Sequence, residues 1–198
     1  MKIRSAALAL ALAFPAPALA SAWDIDTSHS WAGFTVRHMM VANVKGEFGK
    51  VTGTLDLDEK DVTKSKVTAT IDAATIDTRD AKRDAHLRSA DFFDVEKHPG
   101  ITFSSTKVER VKGAKDKLKV TGDLTMRGVT KPVVLDVEFP STVVANKRGA
   151  TATTRINRHD FGVSWNKSLD AGGVVVGDEV AITLEIEFNK RADAPATN

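Results

Sequence analysis

From Val51 to Asp58 the apolar residues Val51, Leu55 and Leu57 are interleaved with Thr52, Thr54, Asp56 and Asp58, the period-two pattern of a strand with one buried face. Four further segments repeat it. Val67, Ala69, Ile71 and Ala73 alternate with Lys66, Thr68, Thr70 and Asp72, and Leu118, Val120, Leu124 and Met126 with Lys119, Thr121, Asp123 and Thr125. Val133, Leu135, Val137 and Phe139 form the next set, and Val180, Ile182, Leu184, Ile186 and Phe188 the clearest. Weaker strands are expected at Trp31 to Met39, Ile101 to Val111 and Ala150 to Asn157. In the second of these the apolar parity changes between Phe103 and Val108, which predicts a bulge near Ser104 and Ser105. Turn signals fall at Lys45-Gly46, Gly113 to Asp116, Arg127-Gly128 ahead of Pro132, Lys147 to Gly149 and Gly172-Gly173. About eight antiparallel strands with short connections predict an all-β barrel or sandwich.

One stretch breaks the alternation. Asp77 or Thr78 is placed to cap a helix over Arg79 to Arg88, which has neither glycine nor proline, and Pro99 forbids continuation. Ser89 then caps a second short turn holding Phe92 and Phe93. The charges suit a solvated helix with pairs such as Asp80 with Arg83 and Asp84 with Arg88.

Composition adds an address. Lys2 and Arg4 precede an apolar run from Ala6 to Phe14 and then small residues, the layout of a secretory signal peptide over residues 1–20 with cleavage after Ala20. The run is shorter than the roughly 20 residues a membrane-spanning helix needs, so the mature chain is expected to carry no transmembrane segment. Without Lys2 and Arg4 the chain balances 26 bases against 26 acids, which removes the electrostatic footprint of a nucleic-acid binder. There is no cysteine, hence no thiol nucleophile, thiolate metal site or disulfide. Residues 21–190 suffice for one domain standing on its own core, and the small, polar tail at 191–198 reads as disordered.

Candidate chemistry is sparse. Asp84, His86, Asp91 and His98 are potential metal ligands, but on a helix positions 84 and 86 point roughly 200 degrees apart. His29 and His38, an odd number of residues apart, would face opposite sides of a regular strand. No Gly-x-Ser-x-Gly elbow is present, and Ser28-His29-Ser30 reads as a polar turn between two short strands. Gly46-x-x-Gly49 lacks the lysine and helix of a phosphate loop. The small residues Gly53, Ala69, Ala73 and Gly122 on the expected buried faces leave two readings open: a hollow barrel holding one small ligand, or a packed core with glycines permitting strand curvature.

The strings "DIDTSHSWAGFTVRHMMVANVKGEFG", "IDTRDAKRDAHLRSADFFDVEKHPGITFSS", "GDLTMRGVTKPV" and "FGVSWN" carry a resemblance. In order and spacing the chain resembles the polyisoprenoid-binding YceI-like family, from about Trp23 to Asn189. The resemblance implies an extended, lipocalin-like antiparallel β-barrel of about eight strands, with one inserted helical segment near residues 79–93. It implies a periplasmic protein without enzymatic activity or cofactor. The ligand would be a long isoprenoid, such as an isoprenyl quinone or polyprenyl phosphate, or a similar amphipathic lipid; a homodimer is compatible. Removing ten methylene equivalents from water is worth roughly 8 kcal/mol against an association cost of at least about 4 kcal/mol, so few polar contacts are needed. On that reading Phe34, Val36, His38, Phe48, Leu87, Phe92 and Phe93 are expected against the tail, with Trp165 at the rim. Arg79, Arg83 or His38 is expected at the head group, and Ala81, Ala85, Leu87, Phe92 and Phe93 form the closing face of a lid. Two alternatives stand beside this: a stress-protective domain with a filled barrel, and an enzyme using Asp84 and His86 as acid and base.

Overall fold

The computed structural model describes residues 20–169 and 172–192; nearly all of the expected signal peptide, and the tail from 193 onward, lie outside the described residues. Eleven strands form one antiparallel sheet: β1 (Ala20–Ile25), β2 (Trp31–His38), β3 (Ala42–Phe48), β4 (Val51–Asp58), β5 (Lys66–Asp72), β6 (Ile76–Asp77), β7 (Gly100–Arg110), β8 (Lys117–Met126), β9 (Val129–Glu138), β10 (Lys147–Asn157) and β11 (Val176–Lys190). Among the described residues the single α-helix, α1, spans Ala81–Arg88.

Eight strands close on themselves in the order β1-β4-β5-β7-β8-β9-β10-β11, with β11 returning to β1. β11 is the closing piece. Of its 15 residues, Glu179 to Asn189 pair with β10 along one edge; the other edge is shared between β2, from Val176 to Glu185, and β1, from Phe188 to Lys190. The edge is shared because the chain turns at Asp26 to Ser30, where the Asp26 carboxylate accepts the Ser28 N–H. Beyond β2, strands β3 and β6 extend the sheet as a flap outside the ring.

The alternating segments become β4, β5, β8, β9 and β11. The expected bulge is present: Ser105 faces Gly122 and Lys107 faces Thr121, leaving Thr106 as the extra residue. Three local expectations are corrected. Lys45-Gly46 lies within β3, opposite Thr35 and Phe34, and a Cβ on Gly46 would stand 2.4 Å from the Phe34 ring, so this glycine serves close approach rather than a turn. Lys147 to Gly149 begins β10; the reversal before it is made by Ala145 and Asn146, both with left-handed φ. The cap of α1 is Asp80, whose carboxylate accepts from the Lys82 and Arg83 amides, while Arg79 turns left-handed at φ 65° ahead of it.

The helix is held by side chains that reach for backbone instead of pairing along its surface. The buried Asp84 carboxylate accepts the Thr78 N–H at 2.9 Å and the Thr78 hydroxyl at 2.5 Å. Arg83 donates to the Thr78 hydroxyl and carbonyl, and Arg88 donates to the Ala74 and Ile76 carbonyls. The expected Asp80–Arg83 and Asp84–Arg88 ion pairs therefore do not form. Ser89 donates to the His86 carbonyl at the end of the helix and accepts the Asp91 amide, starting the turn that carries Phe92 and Phe93.

Candidate functional site

Inward-facing side chains around the ring enclose an apolar cavity of about 270 Å³, just below the ~300–1,000 Å³ of small-molecule sites. Its walls are the alternate residues that the period-two pattern singles out, including Leu55 and Leu57 of β4, Val120 and Leu124 of β8, and Ile182 to Phe188 of β11. Small side chains leave the room. Of the four expected to do so, Ala69 alone lines the cavity. Gly122 is overlain by the Phe103 ring, Gly53 lets the Thr68 carbonyl approach, and Ala73 is buried in a short turn after β5. The rest of the space comes from Ala32 on β2 and from Ala150 and Ala152 on β10, whereas Gly33 makes room for the Trp31 ring.

Six of the residues expected at the tail line this cavity: Phe34, Val36, Phe48, Leu87, Phe92 and Phe93. They come from β2, β3, α1 and the turn that follows α1, and converge at the helix end of the barrel. Phe34 and Phe48 pack with ring centroids 5.8 Å apart, and Phe93 meets Phe48 edge-on at 5.7 Å. Phe92 belongs to a second aromatic group, 5.0 Å from His86 and 5.2 Å from Trp165.

The other expected site residues lie outside the lining. Trp165 packs on His86 and Phe92 at the rim, and His38 ends β2 opposite Ala42. Arg79 is exposed, and the Arg83 guanidinium is taken up by Thr78. Ala81 and Ala85 are exposed too, so the closing face of the lid is Leu87, Phe92 and Phe93 alone.

The strongest polar feature in the wall is one the sequence reading missed. Arg158 follows β10 and is 3% exposed, with its donors directed to the carbonyls of Gly177, Val163, Trp165 and Val176. Burial pulls its guanidinium below the ordinary arginine range, and the Asp178 carboxylate 3.6 Å away works against that. Every backbone acceptor it takes is one fewer unsatisfied carbonyl in the crossing to β11, so Arg158 fixes the rim of the barrel.

The possible acid and base are separated. Asp84 is taken up by Thr78, whereas His86 pairs with Asp91 at 2.8 Å and sits between Phe92 and Trp165. Among the described residues, Asp26, His29 and Glu187 have the spacing for a cation. The Lys147 ammonium already lies there, 3.0 Å from Asp26 and 2.6 Å from Glu187, with Asn189 at 2.7 Å.

Comparison with known proteins agrees with this architecture. The family profile described as YceI-like domain matches residues 23–188. A UPF0312 protein of Vibrio parahaemolyticus is 40% identical over 162 residues, covering 79% of this chain and 85% of that protein. Among solved structures, Burkholderia cenocepacia BcnA superposes with a TM-score of 0.73 at 24% identity, over 82% of this chain and 98% of its own. A polyisoprenoid binding domain from Saccharophagus degradans, implicated in plant cell wall breakdown, gives a TM-score of 0.63 at 14% identity, over 86% and 99%. These last two likenesses are likenesses of fold.

Proposed function

This chain belongs to the YceI-like domain family, and from that premise we propose that it is a periplasmic binding protein that holds one long-chain lipid inside its barrel. The observation that carries the reading is the apolar cavity within the ring, closed at the helix end by Leu87, Phe92 and Phe93. Such a space takes a hydrocarbon tail at little polar cost, and each methylene removed from water contributes about 0.8 kcal/mol. An isoprenyl quinone or polyprenyl phosphate fits this chemistry, and the polyisoprenoid binding domain of like fold supports it. The role is carriage or sequestration. The separation of Asp84 from His86 gives no support to acid–base catalysis by that pair. The amino-terminal signal supplies export, and cleavage after Ala20 would leave Ser21 to Ile25 of β1 to pair with β4 and β11.

Isolation of the protein from its own periplasm without detergent, followed by mass spectrometry of the organic extract, tests the proposal. A stoichiometric isoprenoid or long-chain lipid is expected, and an empty protein without affinity for such lipids would refute it. Ala69→Phe separates a hollow barrel from a filled one. In a hollow barrel the new ring occupies the cavity and abolishes lipid binding with little change in melting temperature; in a filled core, overpacking costs about 1–3 kcal/mol.

A further inference from the structure

The inward row of β10 runs Arg148, Ala150, Ala152, Thr154 and Ile156, and Arg158 continues its parity, so a buried arginine stands at each end of the row: Arg158 in the wall of the apolar cavity, Arg148 just beyond the cavity's other end. The two are not equivalent. Arg158 is fully engaged by backbone carbonyls. Arg148, 9% exposed, makes no side-chain hydrogen bond among the described residues, and its Nε is buried without a partner. It is held instead by stacking, with its guanidinium carbon 4.6 Å from the centre of the Phe139 ring and 5.7 Å from that of Trp23. The nearest carboxylate, Glu59, lies 3.6 Å away, beyond hydrogen-bonding distance, and its other oxygen accepts from Ser21.

Arg148 opens onto a second cavity of about 180 Å³ at the end of the barrel opposite the helix. Arg110 and Lys115 add positive charge to its wall, and Asp58, Glu59 and Asp116 add negative charge. The Asp58 carboxylate is already taken by the Lys60 and Asp61 amides. Leu57, Val62, Leu118 and Phe139 line both this cavity and the apolar one, so only one layer of hydrocarbon divides them.

A buried guanidinium with unmet donors is an unfinished site, because native structures pair nearly all such groups. Its planar fork matches an oxyanion, which accepts two parallel N–H bonds. We infer that Arg148 receives the oxyanion head group, phosphate or carboxylate, of a lipid whose tail occupies the apolar cavity. The inference rests on the lipid-binding reading and narrows it to acidic amphiphiles. It also moves the head group from the helix end, where Arg79, Arg83 and His38 stand, to the opposite end of the barrel.

The test uses the mature chain and three probes with one tail: geranylgeraniol, its monophosphate and the corresponding carboxylic acid, titrated by calorimetry. At least one oxyanion is expected to bind roughly ten- to a hundredfold tighter than the alcohol, the gain a charge-assisted hydrogen-bonded pair provides. The tighter of the two identifies the head group. Arg148→Met is expected to erase that preference while changing alcohol binding less than about twofold, and Arg148→Lys to keep part of it. Equal binding of alcohol and oxyanions by the native protein overturns the inference alone. So does an Arg148→Met protein that loses all three probes in parallel, or, should that variant not fold, an Arg148→Lys protein with an undiminished preference. Failure of all three probes on the native protein removes the lipid-binding reading and this inference together.

Discussion

Asp26 sits where β1 leaves the ring, and its carboxylate accepts from Asn189, His29 and Lys147, joining the first strand to the last two. These bonds, led by that from Asn189, hold its carboxyl well below the usual carboxylate range. A depressed folded-state pKa stabilises the fold at all pH values above the ordinary one, near 4, and that contribution fades as acid is added below it. The melting temperature should therefore fall as pH drops from about 5 to 2. Asp26→Asn should be less stable at neutral pH and show a shallower fall; melting curves that shift in parallel at every pH would contradict the assignment. Arginines illustrate what a residue-by-residue reading misses. A charged side chain on a strand is read as outward, yet Arg148 and Arg158 share the parity of Ala152 and Ile156, which marks them as inward. Parity was the available signal.

At the scale of elements, alternation made β4, β5, β8, β9 and β11 legible because each has one face on the cavity or core and one on solvent. It failed where neither face is cleanly apolar. β3 reads Ala-Asn-Val-Lys-Gly-Glu-Phe, and it is a strand because β2 pairs with it from Ala32 to His38, a tertiary decision that no local window contains. The two-residue β6 is equally silent. In the charged stretch, spacing argued against Asp84 and His86 chelating a metal from one helix face, and gave no sign of the side chain to backbone anchors that fasten the helix. Asp84→Ala should expose this anchoring. Loss of its carboxylate leaves the Thr78 amide and hydroxyl without their acceptor at a cost of about 1–3 kcal/mol. The expected readout is faster hydrogen exchange for amides 81–93 with ring strands unchanged; uniform acceleration across the barrel would show that the helix is no separate unit.

For the whole molecule, closure depends on β11, whose apolar row Val180, Ile182, Leu184, Ile186 and Phe188 faces the cavity while its edges pair with β10, β2 and β1. Deletion of Val176 to Lys190 leaves two unpaired edges and an open apolar face. The truncated chain should aggregate and show no cooperative melting, whereas a soluble, cooperatively melting product would mean that the ring does not need its last strand. The seam has a temporal meaning as well. Trp23 meets Lys190, and Arg191 pairs with Asp24 across 167 residues, so the ring completes only when nearly the entire chain is present. Contacts of such separation form slowly because the loop entropy precedes the reward. During synthesis the growing polypeptide is thus an unfinished ribbon of hairpins awaiting its last segment, and under the export proposed above this delay would leave it loose enough to be threaded, end first, through a translocation pore before it locks.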